Sequence, residues 1–159
     1  MTMTATSYLP VTRPPTLLHS CRWAATTQEA AYRIDKPPAY VRTSRVFGLD
    51  PGAAGLVREI ARLPWHDTRF LSDFDHTRLD DDLRDADFVM MIATANDGAA
   101  AASAIGDACA TRGITTAGIV LGTGYESGEA VSALRPHARV LLVTQDQRDI
   151  VEILGEVGA

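Results

Sequence analysis

The sequence predicts one α/β domain in which helices cover both faces of an open, mainly parallel sheet, preceded by an N-terminal arm. From residue 45 onward, apolar runs of strand length alternate with segments of helical period. The run FVMMIA at 88–93 is apolar at every position, which is typical of a parallel strand covered on both faces. The chain has 159 residues, of which 46% are hydrophobic, and this suits a single domain with a sizeable core.

Five strands are predicted, and each is followed by a turn and a helix. The third strand should be central, and the aspartates of the second mark it as a short or edge strand. Right-handed crossovers between such strands give a three-layer α/β/α sandwich with a sheet of about five strands, Rossmann-like or flavodoxin-like. The predicted strands are RVFGL at 45–49, RFLSDF at 69–74, DFVMMIAT at 87–94, ITTAGIVLG at 114–122 and RVLLVT at 139–144. The predicted helices cover 55–63, 77–86, 99–113, 127–135 and 145–157.

The ends and apolar faces of these helices can also be predicted. Leu56, Ile60 and Leu63 should share one face of the first helix. Gly113 is expected to form the C-cap of the third helix, and Pro136 stops the fourth. The last helix should bury one stripe, which consists of Ile150, Ile153, Leu154 and Val157.

The charge divides the chain into two unlike parts. Residues 1–45 carry a net charge of +4 and residues 46–159 a net charge of -9. Pro-Pro pairs at 14–15 and 37–38 oppose a long helix, so residues 1–44 are predicted to form an extended arm with one short helix. The acidic balance argues against nucleic acid as a partner. No apolar run is long enough for a secretory signal or a membrane span, so a cytoplasmic protein is expected.

Metal and thiol chemistry are not expected. Cys21 and Cys109 form no zinc-binding spacing, and Cys109 lies in an alanine-rich helix as a small buried side chain. One cluster of imidazoles and carboxylates suits either a divalent cation, acid–base work or a solvated acidic face, and the last interpretation is favoured because no metal spacing is met. That cluster comprises His66, Asp67, Asp73, Asp75 and His76.

The turn after the first strand has two open interpretations. Gly48, Gly52 and Gly55 would let the backbone approach a phosphate and then enter a helix. Alternatively, Asp50 is the N-cap of that helix and Pro51 its first residue.

Two further turns are small, polar and followed by helices. Backbone N–H groups at a helix N-terminus attract anions, and parallel strands gather such turns at one edge of the sheet. For the turn after the third strand, capping without a ligand is an equally supported interpretation. The candidate ligand-binding residues of these two turns are Thr94, Asn96, Asp97, Gly98, Gly122, Thr123, Gly124 and Tyr125.

The order of these motifs resembles the nucleotide-binding half of the tubulin-like bacterial cell-division GTPases. In that family an Ala-Asp pair enters an apolar strand, as Ala86-Asp87 does here, and a glycine-rich phosphate loop, a helix and another strand follow. The family's GGGTGTG loop corresponds to residues 96–102, which retain one glycine and no hydroxyl. The resemblance covers about half the chain. It implies a nucleotide-binding type of α/β fold, without GTP hydrolysis by that family's mechanism.

Three functional hypotheses follow. The first is a protein that binds a phosphate-bearing or otherwise anionic small molecule at the turns 48–55, 94–99 and 122–128, with the cofactor unspecified. The second is a non-catalytic interaction or regulatory module that docks a partner or forms a homo-oligomer through residues 1–44. The third is an enzyme of unassigned reaction that uses Thr94, Asn96, Asp97, Thr123, Tyr125 and Glu126 around a cleft.

Overall fold

The structure is a computed structural model that describes residues 42–123 and 128–157. All but the last three residues of the predicted arm lie outside these ranges. The strands are β1 (Ser44–Gly48), β2 (Thr68–Leu71), β3 (Phe88–Ala93), β4 (Thr115–Leu121) and β5 (Val140–Thr144). The helices are α1 (Pro51–Ile60), α2 (Leu79–Asp82), α3 (Ala99–Arg112), α4 (Gly128–Leu134) and α5 (Arg148–Glu156), and a 3₁₀ turn (Asn96–Gly98) leads into α3.

The five strands form one parallel sheet in the order β2-β1-β3-β4-β5. This confirms the predicted open α/β sheet, and the order is the flavodoxin-like one. All six residues of β3 are buried, as expected for the central strand. The strand β2 is short and lies at the edge, also as predicted. The direction of connection reverses between β1 and β3, and crevices for ligands form at such a point.

The alternation of side chains along the strands builds a core on each face of the sheet. Val46 of β1 faces the layer that contains α1 and α5, whereas Phe47 faces the layer of α2, α3 and α4. From the predicted stripe of α5, Ile150 and Leu154 are fully buried. The other two members of that stripe, Ile153 and Val157, are partly buried and pack against the same core.

Helix boundaries follow the predicted signals at two places and depart from them at a third. Asp50 is the N-cap of α1 with Pro51 directly after it, and Gly113 caps α3 in the left-handed conformation with φ 70°. The predicted apolar face of the first helix is wrong at Leu63. The helix ends at Ile60, and the Leu63 side chain lies in the following turn, 44% exposed.

Arg45 is a buried cation inside β1, although the apolar strand pattern does not predict one. Its guanidinium donates hydrogen bonds to the backbone carbonyls of Asp82 at 2.8 Å, Arg84 at 2.9 Å and Ser44 at 3.0 Å. Burial lowers the pKa of Arg45 below its ordinary value. The side chain therefore joins the central part of the sheet to the end of α2, where carbonyl groups lack partners inside the helix.

Cys109 is fully buried in α3, and burial raises the pKa of its thiol to about 11. Both properties are those of a small packing side chain.

No helix in the described part of the chain combines the length and the apolar character needed to cross a bilayer.

Candidate functional site at the carboxyl ends of the strands

Three turns meet at the carboxyl edge of the sheet, because β3 lies between β1 and β4. We call this surface the carboxyl rim and define it as residues 48–52, 94–98 and 122–123. The Leu49 N–H donates to the Ile92 carbonyl at 2.9 Å, and the Gly122 N–H donates to the Thr144 carbonyl at 2.8 Å. Hydrogen bonds of the sheet thus continue into the turns and fix their separation.

The Asp50 carboxylate holds the first two turns together. Its Oδ1 accepts from the Ala53 N–H at 2.9 Å and from the Thr94 hydroxyl at 2.6 Å. Its Oδ2 accepts from the N–H groups of Thr94 at 2.6 Å and Ala95 at 3.0 Å. The capping interpretation of this turn is therefore confirmed, and the amides of these three residues have a partner inside the protein.

These contacts keep Asp50 ionised although its side chain is buried. Burial alone would raise the pKa of the Asp50 carboxyl. The hydrogen bonds from the Thr94 hydroxyl and from the three backbone N–H groups outweigh burial and hold the pKa below its ordinary value. The rim consequently stabilises a negative charge that the protein itself supplies.

Internal packing explains three of the predicted glycines. A Cβ atom on Gly48 would lie 2.8 Å from the Ala54 nitrogen, and one on Gly52 would lie 2.2 Å from the Thr94 hydroxyl oxygen. A Cβ atom on Gly98 would lie 2.5 Å from the Leu49 Cβ. Close approach of α1 to β1, and of the first turn to the second, therefore requires glycine, and contact of these residues with a ligand stays a prediction.

Asn96 joins the second turn to α4. Its Oδ1 accepts a hydrogen bond from the Ala130 N–H at 3.0 Å, in the first turn of that helix. Asn96 was predicted as a cap for its own helix or as a ligand contact, and the structure uses it to cap the neighbouring helix. Asp50 thus joins the first turn to the second, and Asn96 joins the second turn to the first residues of α4.

The beginning of α3 differs from the beginning of α1. The N-cap residues of α3 and of the preceding 3₁₀ turn, Gly98 and Ala95, supply no side-chain hydrogen bond to the helix amides. Ala95, Asn96 and Asp97 are exposed there, as are Ala99 and Ala100. The N-terminus of a 14-residue helix therefore opens onto the rim with its positive dipole end.

The remaining predicted rim residues fall into three groups. Gly55 lies in α1 with its Cα open to solvent. Thr123 is exposed at the end of the described part of the third turn. Gly124 and Tyr125 lie outside the described residues, as does Glu126.

The sequence patterns do not reveal a buried carboxylate beside the third turn. Asp149 of α5 is fully buried and accepts a hydrogen bond through Oδ2 from the Thr144 hydroxyl at the end of β5. Its Oδ1 has no hydrogen-bond partner in the described part of the chain. A Thr at a strand end with an Asp five residues later is the local signal that could have indicated this contact.

The cluster of imidazoles and carboxylates around β2 is dispersed on the surface. His66 precedes the strand and His76 follows it, and both are exposed. The Thr43 hydroxyl donates to the Asp67 carboxylate at 2.5 Å, and Asp75 accepts from the Thr77 N–H at 2.9 Å. Within 42–123 and 128–157, no three His, Cys, Asp or Glu side chains are grouped so that they could hold a metal ion.

Two features of the rim bear on the chemistry that it could perform. The Thr94 hydroxyl contacts Asp50, but a carboxyl with a lowered pKa is a weak base and does not activate a nucleophile. The uncapped N–H groups at the start of α3 are donors suited to a phosphate or a carboxylate. A comparison of the chain with protein-family models and with curated proteins finds no match in either.

Proposed function

We propose that this protein binds a small phosphate-bearing or otherwise anionic molecule at its carboxyl rim, in the cytoplasm. The observation that carries the proposal is the contrast between two helices at the same rim. The first turn of α1 is capped by the side chain of its N-cap residue Asp50, while the N-cap residue of α3 is Gly98, which supplies no such cap. A ligand oxyanion at α3 would occupy the kind of position that Asp50 occupies at α1.

The electrostatics of the rim support an anionic ligand. Burial raises the pKa of Asp50, but hydrogen bonds from the Thr94 hydroxyl and from three backbone N–H groups lower it further, so this part of the rim stabilises a negative charge. The start of α3 adds a positive dipole end from a longer helix. Asp97 acts in the opposite direction, because its exposed carboxylate lies beside these N–H groups.

Short side chains at the surface of the rim also suit a ligand. Three of the five exposed positions at the start of α3 are alanines, Ala95, Ala99 and Ala100, whose side chains cover little of the backbone. The third turn contributes the exposed Thr123, whose hydroxyl can donate to or accept from a ligand. Because Asp50 fixes the first two turns relative to each other and Asn96 fixes the second turn against α4, this part of the surface is preorganised for a ligand.

Thermal unfolding with a panel of anions tests the proposal. The panel should include nucleotides, coenzyme A, flavins and sugar phosphates at high concentration. A ligand at 100 times its dissociation constant stabilises the folded state by about 2.7 kcal/mol. An Asp97→Asn variant should respond to the same compounds with a larger shift, because a like charge has been removed. Unchanged melting temperatures across the panel for both proteins would contradict the proposal.

A second function, partner docking or oligomerisation through the N-terminal segment, is favoured by an apolar groove between α1 and α5. The groove has a volume of about 170 Å³. Its apolar lining residues include Leu56, Ile60, Leu63 and Val151. The opposite net charges of residues 1–45, +4, and residues 46–159, -9, favour association of this segment with the domain of a second copy of the chain. Deletion of residues 1–40 should change the mass in solution or the stability, and unchanged values of both would exclude this function.

A further inference from the structure

A second groove lies at the amino ends of β4 and β5, on the opposite edge of the sheet from the carboxyl rim. It has a volume of about 580 Å³, within the range of small-molecule sites. The last turns of α3 form one wall, and residues 136–139 between α4 and β5 form the other. The lining of the groove includes the side chains of Asp107, Ile114, Thr116, His137, Ala138 and Arg139.

The backbone of the wall at 136–139 is fixed by hydrogen bonds. The N–H groups of His137 and Ala138 both donate to the Leu134 carbonyl, at 3.0 and 2.9 Å. The Arg139 N–H donates to the Thr116 carbonyl at 3.0 Å, and the Thr116 hydroxyl donates back to the His137 carbonyl at 2.6 Å. The His137 and Arg139 side chains therefore project from a backbone that is held in place before any ligand arrives.

The position of His137 also depends on a glycine in α3. A Cβ atom on Gly106 would lie 2.3 Å from the His137 Cβ, so any larger residue there would displace the histidine. Glycine weakens the interior of a helix, and its presence here allows His137 to pack directly against α3. The His137 Nδ1 atom then lies 3.7 Å from Asp107 Oδ1, and the side chain is 17% exposed.

Arg139 supplies a positive charge to this groove. Four other arginines pair with aspartates, namely Arg69, Arg84, Arg112 and Arg148. Among residues 42–123 and 128–157, no carboxylate or carbonyl partner contacts the Arg139 guanidinium. A planar guanidinium with free donors suits the two oxygens of a carboxylate or a phosphate.

We infer that this groove binds a small organic anion. Its oxyanion group contacts Arg139, and its apolar part packs against Ile114 and Ala138 between the two walls. His137 lies beside the ligand, held against α3 by its close packing on Gly106. This site is independent of the one proposed at the carboxyl rim, since the two lie at opposite edges of the sheet.

A nuclear magnetic resonance titration of the full chain with benzoate tests this inference, with the imidazole signals of His137 as the reporter. The signals are assigned by their loss in a His137→Gln variant. Benzoate should shift them in a saturable manner, and Arg139→Gln should weaken binding at least about tenfold because a charge-assisted hydrogen bond is lost. Arg135→Gln is the matched control, because Arg135 carries the same charge but lies outside the groove. Its affinity should equal that of the unmodified protein.

A second titration separates the two parts of the predicted ligand. Inorganic phosphate offers the oxyanion without the apolar part, so it should bind at least about tenfold more weakly than benzoate. Equal affinities for the two anions would overturn the apolar subsite. Absence of a saturable shift with benzoate, or equal weakening by Arg139→Gln and Arg135→Gln, would overturn the whole inference.

Discussion

Asp50 and Thr94, 44 residues apart in the chain, are joined by two hydrogen bonds at the ends of β1 and β3. The Thr94 hydroxyl donates to Asp50 Oδ1 at 2.6 Å, and the Thr94 N–H donates to Oδ2 at 2.6 Å. This pair links the turns that follow β1 and β3, the two strands between which the connections reverse direction. In the flavodoxin-like strand order, a crevice forms at this point. Asp50 also caps α1, whereas the N-cap residue of α3, Gly98, supplies no side-chain cap.

Replacement of Asp50 by alanine should destabilise the fold strongly. It removes the cap of α1 and leaves buried amide groups without a partner, which together cost about 3 kcal/mol. Urea unfolding measures the loss. Asp73→Ala, at an exposed carboxylate, should change the stability by less than about 0.5 kcal/mol. A double-mutant cycle with Thr94→Val should give a coupling energy of about 1 kcal/mol or more. Additive effects would show that the pair does not act as a unit.

The ionisation of Asp50 should make stability depend on acid pH. Its pKa is lower in the folded protein than in the unfolded chain, where it is about 3.9. The stabilisation by Asp50 is therefore present above about pH 4 and is lost as the pH falls toward its folded pKa. The difference in unfolding free energy between the unmodified protein and Asp50→Asn should be constant from pH 7 to about pH 5 and decrease below about pH 4. A difference that grows on acidification would have the wrong sign.

Replacement of the buried Arg45 should destabilise the fold more than replacement of an exposed arginine. Arg45→Met keeps most of the apolar stem but leaves the carbonyls of Asp82 and Arg84 without their donor, at a cost of about 2–3 kcal/mol. Arg58→Met on the exposed side of α1 removes the same charge and should cost less than about 0.5 kcal/mol. Chemical denaturation compares the two variants. Equal losses would mean that the buried hydrogen bonds of Arg45 contribute nothing specific.

Replacement of a helical glycine by alanine should stabilise the protein at Gly155 and destabilise it at Gly106. Gly155→Ala in α5 meets no atom within 4 Å and should stabilise the protein by roughly 0.5–1 kcal/mol. Gly106→Ala gains the same helix propensity but places a methyl group on the His137 Cβ, so it should destabilise by about 1–3 kcal/mol. Melting temperatures of the two variants, measured together, distinguish packing from propensity. A rise in both would contradict the close contact of α3 with residue 137.

Local signals made much of the fold predictable from the sequence. Strand 88–93 was recognisable because apolar side chains on both faces leave no alternation, and Asp50-Pro51 is a cap signal within two adjacent residues. Contacts between distant residues could not be found in this way. Nothing near Asp50 in the chain indicates Thr94 as its partner, and nothing near Arg45 indicates the carbonyls of α2.

The glycines show a different limit of sequence reasoning. A glycine indicates that something approaches the backbone closely, but the sequence does not say what approaches. Gly48 and Gly52 suggested room for a ligand, yet α1 and the Thr94 side chain fill that room. Leu63 shows a similar limit of helical periodicity. Its spacing from Leu56 and Ile60 fits one helix face, but the helix ends at Ile60 and the Leu63 side chain is exposed.

A titration of the amide signals with inorganic pyrophosphate tests binding at the start of α3 most directly. Binding there should give saturable shifts concentrated in residues 96–100. Ala99→Glu, which places a carboxylate at the exposed first position of α3, should abolish them. Ala110→Glu adds the same charge at the exposed far end of that helix and should leave them intact. Shifts that are absent, or that survive in Ala99→Glu as fully as in Ala110→Glu, would contradict the account.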